Sequence, residues 1–549
     1  MVQRKRWLAR AALLVGAGLL ALVLVAATAV ASPKQQAKKG GTYVVELSTD
    51  IDYIDPQLDY LSSGWEIQYA VGCKLFNYPD KPGDAGSQLT PEAAVGAPIV
   101  SKDGKTYTFK IRSGIKFSTG EAVAAASFAN AINRIASQEL QSPGASFIDI
   151  IQGADAALNG RVKTVSGVVA KGNTLTIKLL RPAPDLIARL AMPFFQGINP
   201  ALAGDTDSQG VNTFASCGPY YVSARTPGRS ITLKRNTFYK GSRPHNVDQI
   251  EYRIGNSLQV IEQNVESGTT DFAAQGLDPT SWKRLADKYG VNKGRVYIAP
   301  SLSVFYLAMN NDRPLFKNNL PLRQAVNFAI DRRALLSQSG FGAGIRSDHI
   351  LPPGVPGASK SNGTLYPLKA PNLKKANALA KGHLGDGKAI LWTSNRGAAP
   401  LQAQIYQYNL KQIGLDVEVQ QLARGVQITR EGVRGAPFDL TAEAWTADYP
   451  DPYDFMNVLL SGDSLRDANN NNVAYFSDPK YNTAIRNASK LTGSKRYSTY
   501  GALDMDISKN AVPWATRAWG TDRIFVSART GCFMHSNVYS FDLAAVCIK

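Results

Sequence analysis

The chain has 549 residues, 44% apolar and 9% aromatic, with no long stretch of degenerate composition. That length holds about three domain-sized units and ample apolar material for large cores, which excludes a mostly disordered chain. The formal charge of +18 invites a nucleic-acid reading, but beyond the N-terminal head the Lys and Arg residues are scattered among apolar and polar neighbours, with no basic stripe among stacking aromatics, no RNP-type motif and no zinc-finger spacing.

In chain order, residues 1–31 carry a basic head, Arg4-Lys5-Arg6 to Arg10, followed by an uncharged run from Ala11 to Ala31. Ala29-Val30-Ala31 before Ser32 has the A-x-A form of a signal-peptide cleavage site. The same run is long enough to remain as an uncleaved anchor. No cysteine precedes Cys73, so no lipobox cysteine is expected at the cleavage point. Either way the bulk of the chain is expected outside the cytoplasmic membrane, and a basic surface there suits an anionic membrane or cell wall. Residues 32–39 read as a polar linker.

Thr42 to Leu47 reads as a strand. Asp103-Gly104 then turns into the alternation Tyr107, Phe109, Ile111, and Gly172-Asn173 into Leu175, Ile177, Leu179. Pro227-Gly228 precedes Ile231 and Leu233, and Ile250, Tyr252 and Ile254 alternate again. Pro321 suits the first turn of a helix with an apolar stripe of Leu322, Val326, Ala329 and Ile330. A second helix begins near Pro400 and carries Ala403, Tyr406, Leu410 and Ile413; Gly414 stops it, and Leu415, Val417 and Val419 form an amphipathic strand. Strands and helices mixed in this way predict an α/β or α+β multidomain protein.

Four cysteines fit an oxidising compartment. The short spacing of Cys532 and Cys547 favours a bridge that staples the C-terminus, leaving Cys73 and Cys217 as the second pair; three connectivities are open. No CxxC spacing supports a metal instead. The residues offer no G-x-S-x-G elbow, H-E-x-x-H, P-loop or complete G-x-G-x-x-G. His245, His349, His383 and His535 read as surface or turn residues. Asp448, Asp451 and Asp454 lack the central glycine and terminal glutamate of a calcium loop. No enzyme, cofactor or metal is expected.

Several segments together resemble bacterial extracytoplasmic solute-binding proteins of family 5, the binding proteins of dipeptide, oligopeptide and nickel ABC importers. They are Gly40-Gly41-Thr42 with Ile54-Asp55-Pro56; Asp103-Gly104 through Phe109, Arg112-Ser113-Gly114-Ile115-Lys116-Phe117 and Gly120; Gly218-Pro219-Tyr220 with Arg235-Asn236 and Tyr239; and Phe305-Tyr306-Leu307 to Asn310 with Leu322 to Arg332. Glu121 to Ser127 departs from the family by lacking its acidic helix start. The resemblance implies a periplasmic-binding-protein-like α/β fold of type II, two lobes bending about a hinge, with an additional subdomain inserted in lobe I. Lobe I would comprise 40–80, 205–300 and 506–549, the extra subdomain 81–204 and lobe II 301–505. The hinge would cross near Pro300 and near Asn510.

Residues Ala444 to Pro452 resemble the family's W-x-x-D-x-x-x-P loop. By that resemblance Asp448 pairs with a ligand α-ammonium, the Ala444 and Thr446 backbone bonds an extended ligand, and Trp445 and Tyr449 wall a side-chain pocket. Tyr60 and Trp65, after the Ile54-Asp55-Pro56 turn, are further candidates. The bland alternatives are that Asp448 and Asp451 cap turns around Pro450 and Pro452, and that Trp445 is core. The resemblance thus implies a monomer that captures a di- or oligopeptide and delivers it to ABC permease subunits. The alternatives are a nickel chelate, an oligosaccharide or an opine-like compound in the same fold, a secreted hydrolase, or a surface sensory or adhesion protein.

Overall fold

The computed structural model describes residues 39–549; the expected signal segment and nearly all of the linker lie outside the described residues. In chain order the strands that organise the fold are β1 (Thr42–Leu47), β2 (Ile99–Val100), β3 (Thr106–Lys110), β4 (Val168–Lys171), β5 (Thr174–Lys178), β6 (Tyr220–Thr226), β7 (Ser230–Arg235), β8 (Gln249–Ile254) and β9 (Phe272–Ala273). There follow β10 (Val296–Met309), β11 (Gly344–Arg346), β12 (Lys388–Ser394), β13 (Asp416–Leu422), β14 (Leu440–Thr446) and β15 (Trp514–Phe525).

They build three main sheets. The first is ordered β9-β1-β8-β7-β6, with β1 parallel to both neighbours. β1 is buried along nearly all its length, as its Tyr-Val-Val-Glu-Leu run suits. The β6–β7 hairpin turns where Pro227-Gly228 predicts, Gly228 taking φ +73°, a value costly for any residue with a Cβ. Its register sets Leu233 opposite Ile250 and Ile231 opposite Tyr252, so alternate apolar side chains enter one core. The second sheet, β2-β3-β5-β4, lies within residues 99–178 and brings Tyr107 opposite Ile177 and Phe109 opposite Leu175.

The third sheet is ordered β11-β15-β10-β14-β12-β13. Alternation along β10 divides its side chains between two cores. Leu307 and Met309 face the helices Leu320–Ala329 and Ala399–Lys411, while Val304, Tyr306 and Ala308 face Tyr453–Leu459 and its neighbours. Pro321 sits in the first turn of its helix, as expected. β10 and β15 form a long antiparallel ladder that is interrupted between Pro300 and Val304, opposite Thr521 and Trp519. On one side of the break Val296 and Phe525 pack on Ile261 and Trp282; on the other the strands belong to the six-stranded sheet.

Both expected disulfides form, Cys73–Cys217 and Cys532–Cys547, with Cα separations of 5.3 and 5.4 Å. The histidine expectation needs one correction: His349 is fully buried, its Nδ1 2.9 Å from Asp348 Oδ1 and its ring edge-on to Trp519. A carboxylate partner and an aromatic wall together replace the water that a surface position would supply.

Candidate functional site

The site is built first from backbone. β14 pairs with β10 along its whole length, but with β12 only at Leu440 and Thr441. From Ala442 to Thr446 its other edge is therefore open. The hydrogen bond from the Ala447 N–H to the Leu302 carbonyl fixes the alternation of the β10–β14 ladder. Trp445 is then a hydrogen-bonded partner of Val304, and the N–H and C=O groups of Ala442, Ala444 and Thr446 point to the open edge. Gln427 Nε2 covers the Ala442 carbonyl; no strand covers Ala444 or Thr446. Unpaired strand groups of this kind are a template for an extended peptide.

Past the end of β14 the chain turns and buries Asp448, which is 7% exposed. Its N–H donates to Asp454 Oδ2 at 2.9 Å, and Trp445 Nε1 donates to the same oxygen at 2.9 Å. Among the described residues the Asp448 carboxylate accepts a hydrogen bond from the Tyr60 hydroxyl at 3.0 Å. Burial pushes Asp448 up to about 7, against the lowering effect of that hydroxyl. Burial and then repulsion from Asp448 raise Asp454 well above the usual carboxylate range. Among the described residues no cation pairs with either carboxylate, and Asp454 Oδ1 has no hydrogen-bond partner. The two acids form a desolvated carboxyl pair in which burial disfavours charge, and a ligand cation would stabilise the charged form.

Tyr60 thus meets Asp448 across 388 positions of sequence. Its ring packs on Trp65 and Phe194, remaining 38% exposed while its hydroxyl end is enclosed. Trp65 is buried and donates Nε1 to the Asp59 carbonyl, so it shapes the wall behind Tyr60. Trp445 is half-buried; it packs on the core under β14 and its indole holds Asp454. Thr446 is exposed, its Oγ1 2.9 Å from the Ser303 hydroxyl.

Tyr449 takes a different place. It is 1% exposed, within the core of the 99–178 region, and its hydroxyl donates to Asp185 Oδ2 at 3.0 Å. Arg189 Nε donates to the same oxygen at 2.8 Å, and Arg496 Nη2 to Asp451 Oδ1 at 2.7 Å. Burial opposes charge at Asp185, but Arg189 and Arg496 hold it below the usual carboxylate range. Against the same burial, Asp451 holds Arg496 above its ordinary value. Asp451 therefore turns away from Asp448 and Asp454, and the three carboxylates do not converge on a common point. Sequence reasoning missed Asp454, Asp185, Arg189 and Arg496. Asp454 carried a usable signal, since an acid six residues past Asp448 in the first turn of Tyr453–Leu459 can reach back to the loop's N–H groups.

Most of the chain, the β14 loop included, is matched by a known family. The profile of the bacterial extracellular solute-binding proteins, family 5 Middle, aligns with residues 88–466. The chain belongs to this family. Curated relatives of this family 5 protein include the oligopeptide-binding protein OppA of Bacillus subtilis, 23% identical over 84% of each chain. Another is the glutathione-binding protein GsiB of Pectobacterium atrosepticum, 26% identical over 99% of this chain and 98% of the relative. Among solved structures, a clavulanic acid biosynthesis oligopeptide binding protein superposes with a TM-score of 0.84 at 23% identity, covering 93% of this chain and 96% of that one. The Helicobacter pylori DppA protein in complex with the peptide STSA gives 0.75 at 19% identity, covering 94% and 99%. The fold is the two-lobed α/β fold of periplasmic peptide-binding proteins. Among the described residues no helix is long and apolar enough to cross a membrane.

Proposed function

We propose that this family 5 protein captures a short peptide outside the cytoplasmic membrane, holding its α-ammonium at Asp448, and passes it to an ABC-type importer without chemical turnover. The observation that carries the reading is the buried Asp448–Asp454 pair, which lacks a cation at the end of an open strand edge. A charge-assisted hydrogen bond to such a carboxylate is worth about 1.5–3 kcal/mol. The free N–H and C=O groups of Ala444 and Thr446 supply bonds to the ligand backbone that ignore its side chains.

In this reading lobe I comprises 40–80, 205–300 and the chain after the break in β15, with the extra subdomain at 81–204. Lobe II runs from 301 to that break. The hinge lies at Pro300–Val304 and Trp519–Thr521. This reading moves the crossing from near Asn510 to the ladder break, because Ile507 and Ala511 pack in the core beneath β10. The Tyr60–Asp448 and Tyr449–Asp185 bonds then span the lobes and favour the closed state, one that a ligand ammonium at Asp448 would stabilise further.

Thermal unfolding with di-, tri- and pentapeptide pools, free and N-acetylated, tests this. At a hundredfold excess over Kd a ligand adds about 2.7 kcal/mol to apparent stability. Stabilisation by free peptides alone is expected. Equal stabilisation by both forms removes Asp448 as the anchor, and no shift with any pool removes peptides as the ligand.

A further inference from the structure

Arg517 differs from the buried arginines on the helices that pack against the six-stranded sheet. Arg332 and Arg323 donate to main-chain carbonyls, those of Ser347, Thr516 and Asn327 for one and of Phe316 and Ala511 for the other. Arg517 is only 8% exposed, yet among the described residues its guanidinium makes no hydrogen bond and no carboxylate lies within ion-pair distance; its Nε is fully enclosed and unpartnered. Desolvation holds its pKa below the usual arginine range, with Tyr406 opposing.

The position of the side chain follows from the ladder. Tyr306 pairs with Thr516 and Phe305 with Ala518, so Arg517 is the extra residue of a bulge. Its guanidinium lies 4.9 Å from the centroid of the Phe305 ring. Phe305 is opposite Ala444 on β14, and Ala442 and Ala444 share its face, so the β14 side chains between that ring and the open edge are methyl groups. Tyr406 belongs to the core on this face and its hydroxyl is also without a partner. A ligand strand on the open edge would lie two strand spacings from β10, about 10 Å. A carboxylate-bearing side chain and the arginine close that gap from opposite sides.

Resting on the peptide reading above, we infer that Arg517, stacked on Phe305, receives a ligand carboxylate that reaches across Ala444. The carboxylate comes from an acidic ligand side chain or from the peptide C-terminus, and the two are separable by experiment. Peptides of three to five alanines carrying one Glu or one Gln, each as free acid and as C-terminal amide, would be titrated into the wild-type protein, Arg517→Met and Arg517→Lys. An acidic-side-chain site predicts that Arg517→Met weakens the Glu peptides roughly ten- to a hundredfold and leaves the Gln peptides unchanged. A C-terminal site predicts that loss for free acids and none for amides. In both cases Arg517→Lys recovers part of the affinity. Unliganded Arg517→Met should melt at or above the wild-type temperature, because a desolvated charge without a partner is removed. Equal losses for all four peptide types, or no loss for any, overturn the assignment. If no peptide binds at all, the peptide reading falls, and glutarate and propionate then test Arg517 alone: stabilisation of wild type but not of Arg517→Met sustains it, and no difference rejects it.

Discussion

Asp448 and Asp451 stand three residues apart on one loop and are both buried, yet their surroundings are opposite. Asp451 is closed into a network in which Asp185 and Asp451 face Arg189 and Arg496, with the Tyr449 hydroxyl donating to Asp185. Asp448 has only another acid, Asp454, and one tyrosine hydroxyl. A neutralised buried network gives rigidity at the loop's base, whereas a buried acid without a cation is tolerated where something else completes it. The fold holds Asp448 by its backbone N–H and leaves the carboxylate to the ligand.

Removing Arg496 should have the largest effect. Arg496→Met leaves Asp451 buried beside Asp185 with one cation fewer, and losing one partner of a buried pair costs about 3–5 kcal/mol. Urea unfolding of the free protein measures that loss, while peptide affinity per folded molecule changes little. The opposite substitution pattern applies at Asp448. Asp448→Asn should weaken free-amine peptides by about 1.5–3 kcal/mol, more than tenfold in Kd, and leave N-acetylated peptides unaffected. Calorimetric titration with both peptide forms separates a lost ammonium contact from a general defect.

The same contrast predicts a pH signature. Asp448 titrates near 7 in the folded protein because burial disfavours its charge. A raised folded pKa means that the folded state binds the proton more tightly than the unfolded chain. Its contribution is full below the ordinary carboxylate range and is lost as pH rises through 7. The free wild-type protein should therefore lose stability from pH 5 to pH 8 relative to Asp448→Asn. Affinity for a peptide ammonium should move the other way, rising toward tenfold per pH unit up to about 7 and then levelling. Thermal melts and titrations across this range in both proteins check the two slopes.

The parts of the molecule legible from sequence are those fixed by near neighbours. Apolar alternation and turn residues place β1, the β6–β7 hairpin and β8, because a strand's two faces are written at i and i+2. The Trp445–Pro452 loop is legible as a motif and holds together locally through Asp454. The partners that decide its chemistry are not local. Tyr60 reaches Asp448 over 388 residues and Tyr449 reaches Asp185 over 264, and nothing in the spacing announces either pair. Tyr449 looks like a pocket wall in sequence because it adjoins Asp448, yet its ring is buried in the core and its hydroxyl is spent on Asp185. Arg517 is similarly mute in Trp514-Ala515-Thr516-Arg517-Ala518-Trp519, since its isolation depends on what the other strands fail to place beside it.

The smallest expected effect concerns the bond between Tyr60 and Asp448. Tyr60→Phe keeps the ring against Trp65 and Phe194 and removes only the hydroxyl, so its cost to the free protein is that of one hydrogen bond, about 0.5–1.5 kcal/mol. The hydroxyl stabilises the charged form of Asp448, so its loss should move the midpoint of the affinity profile above that of the wild type. At pH 8, where Asp448 is largely ionised in the wild type, the variant should bind free-amine peptides a few-fold more weakly, and at pH 6 by a larger factor. A deficit that is the same at both values would mean that Tyr60 contacts the ligand directly instead of tuning the acid, because a contact of the neutral phenol does not follow the titration of Asp448.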